Sequence, residues 1–180
     1  MALSATIYAF TVRLADSDRA VYETLNLRVA RHPSETEEYL LTRVLAYCLE
    51  YAEGLAFSKG LSDTEEPAIA VRDLTGVLLS WIDVGAPVAP RLHKAAKAAR
   101  RVAVYAHRNV AAWLARLNGE RIHRSEFIEI FEMDKALIAA LVQRLTRRMD
   151  FDLSVAERTL YVSIGAETLT GTVEPRSLGA

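Results

Sequence analysis

Two aspartates are the residues best placed for chemistry. Asp73 precedes the apolar run Val77–Val84 (VLLSWIDV), and Asp83 sits near the end of it. A carboxylate near the end of a buried strand must be met by water, a cation or hydrogen-bond donors. If the chain turns at Thr75-Gly76, Asp73 and Asp83 converge at one end of a sheet. Two such acids can hold Mg²⁺ or Mn²⁺, neutralise a phosphate and activate a water. Lys94, on a helix that starts near Pro90, is positioned to stabilise developing charge or orient the nucleophile. Glu38 is a third acid, where the buried stripe of an earlier helix meets its start. The alternative role for Glu38 is a solvated first-turn acid favoured by the helix dipole. These are the parts of a metal-dependent phosphodiester hydrolase, although acid pairs at this spacing are common in strand–helix units that do no chemistry.

Residues 84–119 contain no Asp or Glu but seven Lys and Arg, in a chain of formal net charge -1. A segregated cationic stretch has phosphate as its natural partner. Arg91, Lys97, Arg100, Arg101 and Arg108 are therefore candidate nucleic-acid contacts, unless acids from other segments neutralise them. Other chemistries are excluded by pattern. The four histidines and the single Cys48 show no zinc-ligand spacing, and there is no phosphate loop, GxGxxG or GxSxG. Cys48, Trp81 and Trp113 lie in apolar settings expected of a core.

The elements that must position these residues follow from periodicity. Alternation over 6–14 and 21–29 predicts an antiparallel hairpin. Ser34 and Glu37 form a capping box for a helix reaching Ala52, with Leu41, Val44, Leu45 and Cys48 as its buried stripe. Leu55–Leu61 and Ala68–Arg72 read as strands around an acidic loop at Ser62–Pro67. Val77–Val84 reads as a central strand buried on both faces. Leu92, Ala95, Ala96 and Ala99 give the next helix a small-residue face. Val102–Tyr105 is a strand, Val110–Leu117 a helix, and Phe127–Met133 a strand. Asp134 caps a helix carrying Leu137, Ile138, Leu141, Val142 and Leu145. Strands follow near Phe151–Val155, Thr159–Ile164 and Thr168–Val173, and Pro175–Ala180 is expected to fray. At 180 residues this amounts to one domain, 1–180. One cysteine, no apolar span of membrane length and no signal-like N-terminus point to a cytoplasmic protein.

Ala30–Thr36 (ARHPSET), Phe57–Leu61 (FSKGL), Glu66-Pro67, Trp81–Pro87 (WIDVGAP) and Arg91–Ala95 (RLHKA), in this order, resemble the YaeQ family of bacterial proteins. The resemblance runs over essentially the whole chain. It implies a mixed α+β fold, a variant of the PD-(D/E)xK restriction-endonuclease-like core: a mixed central sheet flanked by helices, with added antiparallel strands. It implies an acid after a turn, matched by Asp73, and an acid-x-Lys on the next strand. Asp83 matches that acid, but Gly85 stands where the lysine belongs. Either a cation from the following helix, Lys94 or Arg91, reaches back, or catalysis is lost. An acid from the first helix, Glu38 or Glu35, completes the implied set. The expected function is a Mg²⁺- or Mn²⁺-dependent nuclease with Asp73 and Asp83 as metal ligands. The alternative is a non-catalytic module on the same scaffold that binds nucleic acid or protein. Carboxylates more than about 8 Å apart cannot share such ions, whose oxygen ligands sit at about 2.0–2.6 Å.

Overall fold

A computed structural model of the chain describes residues 4–58 and 63–179. Among the described residues ten strands form one sheet in the order β2-β1-β8-β9-β10-β7-β6-β5-β4-β3. They are β1 (Thr6–Asp16), β2 (Val21–Arg31), β3 (Leu55–Phe57), β4 (Ile69–Arg72), β5 (Leu78–Val84), β6 (Arg101–Ala106), β7 (Ile128–Met133), β8 (Arg148–Ala156), β9 (Thr159–Ile164) and β10 (Glu167–Arg176). Among the same residues four helices accompany them: α1 (Glu37–Leu49), α2 (Ala89–Ala98), α3 (Val110–Leu117) and α4 (Lys135–Val142). The mixed α+β class expected from the sequence is present. The sheet, however, is nearly closed on itself and encloses a helix, so a helix-flanked open sheet does not describe the whole chain.

The closure depends on β10. Its first part, Glu167–Thr172, pairs antiparallel with β9, and its last part, Val173–Arg176, pairs with β7. One strand thereby joins the β1–β2–β8–β9 side to the β3–β7 side. Pro175 and Arg176, expected to fray, are held opposite Phe131 and Ile130. Side-chain alternation then sorts residues onto two surfaces. Ile82, Val84, Ala103 and Tyr105 face the enclosed core with α1 and α4. Trp81, Val102 and Val104 face an outer core built with α2 and α3.

Helix α1 carries no simple stripe. Leu40 through Ala46 are all buried, including Thr42 and Arg43. A helix surrounded by sheet must be covered on every side. Its Arg43 is neutralised by Glu35 at 3.2 Å, with both side chains at most 1% exposed. The helix cap lies two residues later than expected. Thr36, not Ser34, accepts the Tyr39 N–H at 3.1 Å, while Ser34 Oγ bonds His32 Nδ1. It ends at Leu49 rather than Ala52. The expected strand Leu55–Leu61 is seen as Leu55–Phe57, and its residues 59–61, with the first residue of the acidic loop, lie outside the described residues. Phe127 belongs to a 3₁₀ turn, Ser125–Phe127, and α4 ends before Leu145.

Gly171 lets α4 seat against β10. A Cβ there would lie 2.6 Å from Leu137 Cβ and 2.9 Å from Asp134 Cβ. Gly171→Ala should therefore lower stability by about 1–3 kcal/mol through overpacking, measured as the shift in urea midpoint at constant slope.

Candidate functional site

Strands β5, β6 and β7 run parallel and end side by side, with Val84 opposite Tyr105 and Tyr105 opposite Phe131. Ligands of sheets with parallel strands bind beyond such carboxyl ends. The first turn of α1 lies over this edge. Its neighbouring residues Tyr39 and Glu38 look into separate clefts. One, of about 370 Å³, is lined by Tyr39, Asp63, Asp83, Gly85 and Arg91. The other, of about 280 Å³, is lined by Glu38, His107, Arg108, Asn109 and Lys135.

Asp83 is 2% exposed, and its partner is an arginine. Arg91 Nε donates to Asp83 Oδ2 at 2.7 Å, and its terminal nitrogen donates to Oδ1 at 2.8 Å. The Ala68 N–H adds a third donor to Oδ1 at 3.2 Å. The remaining Arg91 donors hold the Thr64 and Glu66 carbonyls at 2.8 and 2.9 Å. Its guanidinium also lies 5.3 Å from the Trp81 ring centroid. The bond to Asp83 raises the Arg91 pKa, against the opposing effect of burial. A bidentate arginine satisfies the strand-end carboxylate, and both of its oxygens are engaged. Beside the pair, burial pushes the Tyr39 hydroxyl up to about 12.

Asp73 does not join Asp83. It closes the β4–β5 turn, accepting the Thr75 N–H at 2.8 Å, the Thr75 hydroxyl at 2.6 Å and the Val77 N–H at 3.0 Å. These bonds, the Thr75 hydroxyl foremost, lower its pKa. The turn sits at the start of β5 and Asp83 at its end. Six residues of strand at about 3.3 Å each put them about 20 Å apart, far beyond the reach of a shared ion. The expected Asp73–Asp83 metal pair is therefore not formed. Among the described residues no group of three or more His, Cys, Asp or Glu could hold a metal ion.

The acid that does share the cleft with Asp83 is Asp63, which sequence reasoning missed. The signal was available in strand direction. Antiparallel pairing of Ile69 with Ile82 brings the residues before β4, not those after it, to the end of β5.

Gly85 explains why the acid-x-Lys pattern is broken. Its φ is +92°, in the region that L side chains rarely adopt. Restoring the lysine as Gly85→Lys should cost about 1–2 kcal/mol of backbone strain in a denaturation experiment. It should yield no metal affinity, because Arg91 still occupies Asp83.

Lys94, expected to reach back to Asp83, instead pairs with Glu65. With Arg91 it clamps the 63–67 segment to α2. Glu38 lies in the second cleft near His107. Burial foremost and Arg108 next lower the His107 pKa, and Glu38 partly opposes them. Glu35, the alternative to Glu38, is held in the buried pair with Arg43.

The expected cationic patch is divided. Arg91 is engaged by Asp83. Arg101 binds both oxygens of Glu50 at 2.6 and 3.1 Å and also pairs with Glu129. Neither remains free for phosphate. Lys97, Arg100, Arg108 and Arg116 are exposed, and no ion pair is found for them among the described residues. No helix among the described residues is long and apolar enough to cross a membrane.

Known proteins resemble this chain over more than nine-tenths of its length. The family model described as "YaeQ protein" matches residues 1–173. An "Uncharacterized protein YaeQ" from Escherichia coli (strain K12) is 35% identical over 167 residues, 91% of each chain. Its counterpart from Salmonella typhi is 34% identical over 166 residues, again 91% of each chain. The crystal structure of the YaeQ protein from Xanthomonas axonopodis pv. citri is 30% identical with a TM-score of 0.88, covering 97% of this chain and 99% of that one. That of the YaeQ protein from Pseudomonas syringae is 31% identical with a TM-score of 0.85, covering 95% of each.

Proposed function

The chain belongs to the YaeQ family, and we propose that it is a nucleic-acid-binding module on a degenerate PD-(D/E)xK scaffold that does not cleave its ligand. The scaffold reading is supported by residues 37–106. There, α1, the antiparallel strands β3–β5, the crossover helix α2 and the parallel strand β6 follow in order. Within that unit α1 and α2 lie on opposite faces of a mixed sheet.

The observation that carries the non-catalytic reading is the bidentate Arg91–Asp83 pair. Metal-dependent hydrolysis needs carboxylate oxygens free to bind the ion. Here Asp83 is occupied, Asp73 is at the far end of the strand, and Gly85 carries no cation. The donor set does not fit Mg²⁺ or Mn²⁺.

Nucleic-acid binding is supported by the acid-free span 84–119 and by its exposed cations. Lys97, Arg100, Arg108 and Arg116 lie along the outer α2–α3 layer and its margins. Backbone phosphates would be held by charge, with affinity falling steeply in salt.

The test combines retention and turnover on single- and double-stranded DNA and RNA. Binding at low salt is expected, with no cleavage in Mg²⁺ or Mn²⁺. The variant Lys97→Gln/Arg100→Gln/Arg116→Gln should flatten the salt dependence by about 0.7–0.9 in log–log slope for each phosphate it no longer neutralises. Metal-dependent cleavage that disappears in Asp83→Ala would establish a nuclease instead. No retention at the lowest salt would leave a protein-interaction role.

A further inference from the structure

The second cleft at the sheet edge has the chemistry of an anion site. His107 follows the last residue of β6 and is only 7% exposed, yet its buried Nδ1 has no hydrogen-bond partner among the described residues. A buried polar nitrogen without a partner costs stability unless something satisfies it. Burial, and Arg108 after it, lower its pKa and so favour the neutral ring, which has one N–H to donate.

The next residues add donors and charge. Asn109 precedes α3 in a left-handed conformation, with φ 50° and ψ 38°, and its side chain makes no capping bond. The α3 first turn holds no acid. A left-handed residue followed by a helical start turns successive N–H groups toward one concavity, a geometry that receives anions. Arg108 from the same loop and Lys135 from the start of α4 line the cleft, and neither forms an ion pair among the described residues. Asp134, beside Lys135, is occupied in capping α4 through the Ala136 and Leu137 N–H groups. Glu38 is the one acid in the lining, so two cations face one carboxylate.

We propose that this cleft binds a phosphomonoester. Arg108 and Lys135 would hold its charge, the backbone at Asn109, where the chain turns into α3, would receive its oxygens, and the His107 ring would complete the site. The cleft, at about 280 Å³, is near the small end of ligand sites and suits a terminal phosphate better than a chain interior. The phosphate could come from a small metabolite or from the end of a nucleic acid. The inference does not rest on nucleic-acid binding by the outer layer, because inorganic phosphate alone probes it.

The experiment is a titration of the full chain, followed by calorimetry and by the imidazole nitrogen resonances of His107. The probes are inorganic phosphate and an oligonucleotide with either a 5′-phosphate or a 5′-hydroxyl end. Saturable binding of phosphate with movement of the His107 resonances is expected. Arg108→Gln/Lys135→Gln, two exposed positions, should weaken it about tenfold or more. Arg28→Gln on strand β2, across the sheet, should leave it unchanged. A stronger response to the 5′-phosphate end than to the 5′-hydroxyl end would identify nucleic-acid termini as the source. Equal response of the two ends, with inorganic phosphate still saturable, would point to a small molecule. No saturable phosphate binding, or binding unaltered in the double variant, overturns the proposal. Phosphate binding without oligonucleotide retention would sustain this site while removing the nucleic-acid reading.

Discussion

Replacing Arg91 by alanine should destabilise the fold by about 3 kcal/mol or more, the cost of leaving a buried charge without its partner. Asp83 would keep only the Ala68 N–H. The Thr64 and Glu66 carbonyls would lose their donors in the same step, detaching the 63–67 segment from α2. Arg91→Lys should not restore the loss, because one ammonium cannot reproduce the fork to both carboxylate oxygens or reach both carbonyls. In a urea-denaturation cycle, Asp83→Ala and Arg91→Ala should show coupling of about 1–3 kcal/mol. Lys94→Ala, one turn further along α2, removes a pair whose side chains are 40% and 77% exposed. It should change stability by only about 0–1 kcal/mol. Equal losses for Arg91→Ala and Lys94→Ala would show that Asp83 is satisfied by something else.

Arg43→Ala should be at least as damaging, about 3–5 kcal/mol. The guanidinium lies inside the nearly closed sheet, paired with Glu35 and donating to the Ala30 carbonyl at 2.7 Å. It also sits 5.6 Å from the Tyr39 ring centroid and 5.9 Å from that of Phe57. Its loss strands a buried carboxylate and opens space beneath the rings that line the core. At about 2–4 °C per kcal/mol for a chain of this size, the melting temperature should fall by about 10 °C. A shift of only a degree or two would mean that the α1 interior is solvated.

Strand periodicity was legible wherever one face is wet. β8 alternates buried and exposed without a break, and β1 and β2 pair in the expected hairpin. The need of Asp83 for a partner was also legible, since an ionised group inside VLLSWIDV cannot remain bare. What the sequence did not disclose was which cation would meet it. Arg91, Lys94 and Lys97 recur along one helix, and only the angle at which α2 crosses the sheet selects Arg91. Asp73 was misplaced by a question of strand direction: the tight turn that contains it necessarily lies at the opposite end of β5 from Asp83.

The burial of α1 was hidden for a related reason. A helix covered on all sides needs no polar face, and the arginine at its centre reads as surface until Glu35 is brought against it. The cationic span 84–119 was real as composition. Three of its members nonetheless face acids outside the span, Arg91 with Asp83 just before it, Lys94 with Glu65 and Arg101 with Glu50. His107 belongs to the same span. Its isolation is a property of packing at the strand end, which periodicity does not encode.

The most direct test of the central claim, that Asp83 is satisfied by Arg91 rather than by a divalent ion, is an electron paramagnetic resonance titration of Mn²⁺ into the wild-type chain and Asp83→Ala. The account predicts identical free-Mn²⁺ signals for the two proteins across the titration, with no stoichiometric site lost in the variant. A stoichiometric Mn²⁺ site in the wild type that disappears in Asp83→Ala would contradict it.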